Sequence, residues 1–155
     1  MPSFYSITTE GLEAGSTAGA ETLLMLKGVA AVKAKIIEWS CSFDGVSATA
    51  VPVNVSIKRG NSTSDGTNSA ATEELWDPDY PAANCPGFHS FSAEPTYVGQ
   101  PLQSVYVHPQ GGSYTWQAPR PGAELTLDNT TASFLAIVVN TTAAVNALAH
   151  IVWEE

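Results

Sequence analysis

Histidine, cysteine and aspartate are the residue types in this chain that could bind a metal ion or move a proton. Cys85 and His89 stand four residues apart, a spacing at which a thiolate and an imidazole can share one zinc ion. A structural zinc needs four such ligands, and no second pair stands at a matching spacing. Asp77 and Asp79 could offer two carboxylates to calcium, although Asp-Pro is more typical of a turn. We therefore expect no metal and no cofactor.

Motifs of known enzymes are absent from the sequence. It contains no GxSxG, HExxH, GxGxxG, phosphate-binding loop or CxxC. His89, His108 and His150 are far apart, and a Ser-His-Asp set can be chosen from almost any chain this rich in serine. The His-x-His motif with which cupins, which are jelly-roll enzymes, hold their metal is also missing. The sequence predicts a protein that is not an enzyme.

Aromatic side chains in loops offer a different chemistry, because they stack on sugar rings. Tyr80, Tyr97, Tyr114 and Trp116 could serve in this way, and the chain would then be a carbohydrate-binding β-sandwich module. Packing in the core or at an interface explains the same residues equally well. The two alternatives differ in whether Tyr114 and Trp116 are flat and exposed.

Charge is sparse and unevenly placed along the chain. Charged residues make up 14% of the sequence, against roughly 25% in soluble domains. Residues 1–60 carry five Lys and Arg and five acids, whereas residues 61–155 carry Arg120 alone against ten acids, which leaves a net charge of −9. Neutralising phosphates requires clustered Lys and Arg, so we expect no nucleic acid partner. The low charge indicates either a surface covered by neighbours or a β protein whose polar surface is Ser, Thr, Asn and Gln.

The length of 155 residues fits one domain with a real core. No apolar run is long enough to span a bilayer, and the first residues lack the basic flank and apolar segment of a signal peptide. We expect no membrane partner and a cytosolic site of synthesis. In a reducing cytosol Cys41 and Cys85 are expected to be two unpaired core thiols.

Alternation of apolar and polar residues predicts strands. Val51, Val53, Val55 and Ile57 alternate with smaller or polar residues until residues 59–61 break the pattern. Further strands are expected over residues 3–8, 103–108, 113–117, 123–127, 133–139 and 148–153. The segment 133–139 is apolar on both faces, as in a central strand.

One segment allows two secondary structures. The composition of residues 20–39 favours a helix, but Gly28 interrupts it near its middle. The alternative is two strands over residues 21–27 and 31–43, which we favour because the rest of the chain is β. In the second strand one face would be polar and the other apolar. The polar face would carry Glu38, Ser40 and Ser42, and the apolar face Ile37, Trp39, Cys41 and Phe43.

Two regions are predicted to lie outside the regular sheets. Residues 1–20 are rich in Gly, Ala, Ser and Thr and indicate an N-terminal arm that docks on a neighbour, so that deletion of residues 1–15 should leave the domain stable but weaken its attachment. Residues 60–95 indicate a long loop region with one short helix over residues 71–76. The expected fold is therefore all-β, an antiparallel, jelly-roll-like β-sandwich formed by residues 21–155 as a single domain.

Three stretches carry a family resemblance: TLLMLKGVAAVKAKIIEWSCSFDGVSATAVPVNVSIKR at residues 22–59, QPLQSVYVHPQGG at residues 100–112 and the closing HIVWEE. In their order and pattern they resemble small β-sandwich virion proteins of tailed bacteriophages, above all capsid decoration (head auxiliary) proteins. The resemblance implies a jelly-roll-like, commonly trimeric protein on the outside of the capsid, made in the host bacterial cytoplasm. Its partners would be the major capsid protein and further copies of itself, and it offers no catalytic residues.

Aromatic residues of the predicted arm and of the predicted loops are the candidates for the partner interface. They are Phe4, Tyr5, Trp76, Tyr80 and Tyr97. Trp39 and Trp153, by contrast, lie in predicted strands and are expected in the core. The alternative for function is a carbohydrate-binding β-sandwich module of a phage fibre or tail adhesin.

Overall fold

The computed structural model describes residues 2–11, 13–15, 19–47, 49–60 and 65–155. These residues form thirteen strands and no helix. In chain order the strands are β1 (Phe4–Thr8), β2 (Glu13–Gly15), β3 (Gly19–Lys27), β4 (Lys35–Phe43), β5 (Val53–Gly60), β6 (Thr67–Ala70), β7 (Glu74–Leu75), β8 (Gly87–Ala93), β9 (Gln103–Val107), β10 (Ser113–Gln117), β11 (Leu125–Thr126), β12 (Phe134–Thr141) and β13 (Val145–Glu154).

The strands form two antiparallel sheets that pack face to face. Sheet 1 has the order β10-β4-β13-β1-β7, with β11 also on β4 and β2 also on β13. Sheet 2 has the order β6-β8-β3-β12-β5-β9. The predicted all-β antiparallel sandwich is confirmed. In the described part of the chain no helix could cross a membrane.

Large apolar side chains from both sheets form the main core. Trp39 on β4 and Trp153 on β13 are both 0% exposed, as predicted. Tyr5 stacks on Trp153 with ring centroids 5.6 Å apart. Cys41 and Cys85 are buried and unpaired, which confirms the prediction of two core thiols. Burial is the main cause that raises the pKa of each thiol to about 12.

The N-terminal strand belongs to this core, so the predicted arm is wrong for Phe4–Thr8. β1 pairs along its whole length with β13, and Ile7 lies opposite Ile151. Tyr5 and Ile7 are each only 1% exposed. In the sequence, the short alternation of Phe4–Thr8 is hard to recognise, because the small residues that follow it dominate the composition of residues 1–20. Of the remaining predicted arm, β3 already begins at Gly19, and Met1, Leu12 and residues 16–18 lie outside the described residues.

Sheet 2 has a second apolar cluster on its outer face, which we call the outer cluster. Its buried members are Met25, Phe134, Ala136 and Val138, and its partly buried members are Phe88, Phe91 and Tyr97. β12 lies between β3 and β5, which confirms that the segment 133–139 is a central strand. Gly60 lies opposite Phe134, and any side chain at this glycine would overlap the Phe134 ring.

Residues 94–102, which we call the covering segment, close the outer cluster. The Glu94 carboxylate accepts hydrogen bonds from the backbone N–H and the hydroxyl of Thr22 on β3. The Tyr97 ring meets Phe134 on β12 edge-on at 5.9 Å, and Lys58 on β5 lies 5.2 Å from the same ring. Val98 N–H then donates to the carbonyl of Arg59 at 2.9 Å. The segment thus crosses three strands and packs Tyr97 against the outer cluster.

Two β-bulges set which side chains face the core. Between β3 and β12 the pairing passes from Leu24 to Thr22 and skips Leu23, so that Leu23 and Leu24 both reach the main core. Between β4 and β13 the pairing passes from Glu38 to Ile36 and skips Ile37. Ile36 is therefore fully buried, and the prediction that Ile37 faces inward is wrong. A strict alternation cannot foresee such an inserted residue.

The segment with two predicted structures forms strands, as favoured. β3 and β4 match residues 21–27 and 31–43 apart from their ends. The short helix predicted over residues 71–76 is wrong, because Glu74 and Leu75 form the edge strand β7. Pairing with β1 therefore outweighs the local helix propensity of residues 71–76.

Residues 60–95 contain more regular structure than the predicted loop region. β6, β7 and β8 all lie within it, although residues 61–64 are outside the described part. β8 pairs with both β3 and β6, and a register irregularity interrupts its pairing with β6. The irregularity and the serines of β8 hide the alternation by which a strand is recognised.

Glu155 fastens the loop before β8 to the end of β13. Its carboxylate accepts hydrogen bonds from Cys85 N–H at 2.8 Å, Asn84 N–H at 3.0 Å and the Trp153 indole N–H at 3.0 Å. Burial raises the pKa of Glu155, but these hydrogen bonds together outweigh it and leave the pKa below its ordinary value. The ionised carboxylate therefore stabilises the fold.

Substitutions at the neighbouring residues Ile7 and Thr8 can test whether β1 is a core strand or part of an arm. We predict that Ile7→Ala lowers the free energy of unfolding by about 2–5 kcal/mol, because it leaves a cavity in the core. The Thr8 side chain is exposed on the opposite face, so Thr8→Ala should cost about 1 kcal/mol or less. Urea denaturation of both variants checks this. Equal, small effects would show that β1 is not part of the cooperative core.

Candidate functional site

Two of the predicted interface residues, Phe4 and Trp76, lie together at the β7 edge of sheet 1. Trp76 is 59% exposed, and its ring centroid lies 6.2 Å from that of Phe4. Trp76 N–H donates to the Phe4 carbonyl at 3.1 Å, which continues the pairing of β1 with β7. The backbone thus fixes this aromatic pair at the surface.

The other three predicted interface residues have different surroundings. Tyr5 cannot present its ring to a partner, because it is buried in the core and its hydroxyl donates to the Pro81 carbonyl at 3.1 Å. That assignment is wrong, and the reason is that β1 is a core strand. Tyr97 packs on the outer cluster, and burial raises the pKa of its phenol. Tyr80 is partly exposed and stands apart from both.

The turn that Asp-Pro predicts before Tyr80 is confirmed. Asp79 N–H donates to the Asp77 carboxylate at 3.0 Å, and Tyr80 N–H donates to the Asp77 carbonyl at 3.0 Å. One carboxylate oxygen of Asp77 therefore serves the turn itself. Within the described ranges, no group of three or more His, Cys, Asp and Glu side chains is placed to hold a metal ion.

The aromatic platform required by the carbohydrate-binding alternative is not formed by Tyr114 and Trp116. Both are partly buried and pack against the main core from β10. The Tyr114 ring lies 5.2 Å from that of Trp39. The most exposed aromatic side chain among the described residues is Tyr106 on β9, at 76%, a residue that the sequence patterns do not single out. Its alternation with Val105 and Val107 is the signal that could have identified it.

The outer face of sheet 1 carries polar rows that run across its strands. One row consists of Thr115 on β10, Ser40 on β4, His150 on β13 and Thr8 on β1. Side chains directly opposite one another on antiparallel strands have Cβ atoms roughly 4.5–5.5 Å apart. We call the surface around this row the hydroxyl face. The alternation of the β4 residues predicts a polar face, but sequence spacing gives no sign that His150 joins it.

His150 has one charged neighbour on this face. Its Nδ1 lies 3.8 Å from Oε1 of Glu38, and the other carboxylate oxygen of Glu38 accepts a hydrogen bond from Gln117 Nε2 at 2.7 Å. Burial lowers the pKa of His150, and the nearby Glu38 carboxylate partly opposes this shift. The imidazole is therefore neutral at pH 7, and the carboxylate favours the tautomer with its proton on Nδ1.

No family model, curated protein or solved structure matches this chain. Its function therefore has to be inferred from two features of sheet 1 that the fold itself positions. One is the aromatic pair Phe4 and Trp76 at the β7 edge, and the other is the hydroxyl face around His150.

The protonation of His150 gives a prediction of pH dependence. In the window between its lowered folded pKa and its ordinary value of 6.5, the unfolded chain binds more protons, so stability falls as the pH falls through that window. We expect NMR titration of the ring to give a pKa below 6.5. Glu38→Gln should lower this pKa further, because it removes the charge that favours the imidazolium. A pKa at or above 6.5 would contradict the burial of the ring.

Proposed function

We propose that this chain is a non-enzymatic structural protein of a virus particle, a capsid decoration protein that binds the outer shell of a tailed phage and stabilises it. The major capsid protein is the proposed partner, and the proposed working form is a homotrimer on the capsid exterior. The observation that carries the proposal is the exposed aromatic pair at the β7 edge. The family resemblance of the sequence supplies the identity of the partner.

The properties of Trp76 support a role in binding. It is a large side chain left more than half exposed by a fold that buries Trp39 and Trp153 completely. Tryptophan is among the residues that most often contribute the largest share of binding energy at protein interfaces. Phe4 beneath it and the hydrogen bond to the Phe4 carbonyl restrict its position. A preorganised anchor loses less conformational freedom on binding than a free side chain.

The covering segment supports sheet 1 as the partner face. It packs Tyr97 against the outer cluster of sheet 2, so a partner could reach the buried members of that cluster only by displacing the segment. On the outer face of sheet 1, by contrast, Ser40, Ser42 and His150 are only partly buried and Trp76 is 59% exposed. A partner that approaches sheet 1 at the β7 edge would meet Trp76 directly.

Stabilisation of a shell by such a protein follows from mass action. A protein that binds the assembled shell but not its separate subunits stabilises the shell by RT ln(1 + [L]/Kd) for each site. A trimer places three such contacts on one particle surface. Modest individual affinities then combine, because the second and third contacts form at a high effective concentration.

Trp76→Ala tests the proposed anchor. We expect it to weaken binding to assembled shells of the encoding phage by about 10- to 100-fold, in the range of about 1.4–3 kcal/mol. The measurement is cosedimentation of purified protein with shells. Tyr106→Ala removes a comparably exposed aromatic side chain from sheet 2 and serves as the matched control, with binding changed less than about twofold. Wild-type protein that does not bind shells would overturn the proposed function itself.

The oligomeric state is a separate prediction. Light scattering at micromolar concentration should give three times the 16.3 kDa mass of one chain. If the protein is a monomer in solution, cross-linking on the particle should still yield a three-chain product. Monomers in both experiments would contradict the trimer, whatever the outcome for Trp76.

A further inference from the structure

A cavity of about 330 Å³ opens on the hydroxyl face, at the opposite end of β1 from Trp76. Its lining includes Thr8, Ser40, Ser42, Leu148 and His150. This volume lies at the lower end of the range of roughly 300–1,000 Å³ typical of small-molecule sites. The residues come from β1, β4 and β13, so the sheet itself holds the cavity wall in place.

The polar groups of this wall have unused hydrogen-bonding capacity. The hydroxyls of Thr8, Ser40 and Ser42 make no hydrogen bond to any described residue, and neither does Nε2 of His150. Thr9 differs, because its hydroxyl already accepts from Ala149 N–H at 3.2 Å. With Nδ1 of His150 on the side of Glu38, Nε2 is left as an acceptor in a lining that also carries the three hydroxyls. The cavity therefore offers donors and acceptors in close proximity.

The charges around the cavity select against ionic ligands. Lys and Arg are absent from its described lining, and the Glu38 carboxylate beside His150 would repel an anion. A metal cation would find one carboxylate and one imidazole, fewer protein ligands than structural zinc or calcium sites use. A neutral ligand with several hydroxyl groups matches the wall best.

Acyl transfer is a less suitable role for the same residues. Ser40, His150 and Glu38 are the residue types of a hydrolase triad, but such enzymes also need N–H donors aimed at the oxyanion. β4 and β13 are each paired on both sides at these positions, so their N–H groups lie in the plane of the sheet and bond to neighbouring strands. The geometry favours binding over catalysis.

We propose that the cavity on the hydroxyl face is a binding site for a neutral sugar ring. The hydroxyls of Thr8, Ser40 and Ser42 bond to the hydroxyls of the sugar, and Nε2 of His150 accepts from one of them. Leu148, which is 43% exposed, contacts the C–H face of the ring. Because no aromatic side chain is among the described lining residues, a single ring should bind weakly, with a Kd on the order of 1 mM.

NMR titration with glucose, galactose and mannose, each as the single free sugar, tests this site. The probes are the ring protons of His150 and the methyl groups of Leu148. We expect saturable shifts of both with at least one sugar, at concentrations up to about 50 mM, well above the expected Kd. Ser40→Val, which keeps a strand-forming side chain but removes the hydroxyl, should reduce the affinity by at least about fivefold, or about 1 kcal/mol.

Matched controls establish whether the shifts arise from a sugar in this cavity. Ser104→Val removes an exposed strand hydroxyl from sheet 2 and should leave the titration unchanged. Acetate and phosphate should not shift the His150 and Leu148 signals at constant pH. Shifts with these anions but not with sugars would overturn the proposal in favour of an anion site. The absence of shifts with all three sugars would overturn it as well, and so would an affinity of Ser40→Val equal to that of the wild-type protein. None of these outcomes depends on binding to a capsid.

Discussion

β12 has to be covered on both faces, because Phe134–Val139 contains no polar side chain. One face is buried against sheet 1, where Leu135 and Ile137 join the main core. The other face points away from the sandwich, and an ordinary two-layer sandwich would leave it in water. The covering segment solves this problem by crossing β3, β12 and β5, with Tyr97 against Phe134. Much of the shape of sheet 2 follows from that requirement.

The hydrogen bonds that fasten the covering segment are made next to the bulge in β3. The pairing of β3 with β8 ends at Leu24, and the N–H of Thr22 donates to the Glu94 carboxylate instead. The same bulge directs two consecutive leucines into the main core. A single inserted residue thus adds core volume on the inner side of the sheet. The outer face of sheet 1 differs, because it carries the polar row of Thr115, Ser40, His150 and Thr8.

The sparse charge of the chain is explained by the hydroxyl face. Rows of Ser and Thr on β4, β10 and β1 make this surface polar with few charged side chains. A low charge fraction therefore does not by itself require neighbours to cover the surface. Trp76 is the stronger indication of a partner, because its exposure has no comparable explanation in the fold.

The sequence was sufficient for the fold class because most strands alternate regularly. It also identified Trp39, Trp153, both thiols and the Asp77 turn, since each depends on local pattern or on burial alone. It could not identify Ile36 as the buried residue, because a bulge shifts the alternation. The place of β1 and β8 within the sheets could not be predicted, because their pairing partners lie far away in sequence. For the same reason only the folded chain brings the residues of the hydroxyl face together, so the candidate site could not be predicted from spacing.

The two ends of the outer face of sheet 1 can act independently. Phe4 and Thr8 are the first and last residues of β1, so about 13 Å separates the aromatic pair from the cavity at roughly 3.3 Å per residue. Val152 and Ser6 lie between them, and Val152 is almost fully buried. A partner bound over Trp76 could therefore leave the cavity open to solvent. Substitutions at one end share no contact with the other end, and effects of residues separated by more than about 7–10 Å are usually additive.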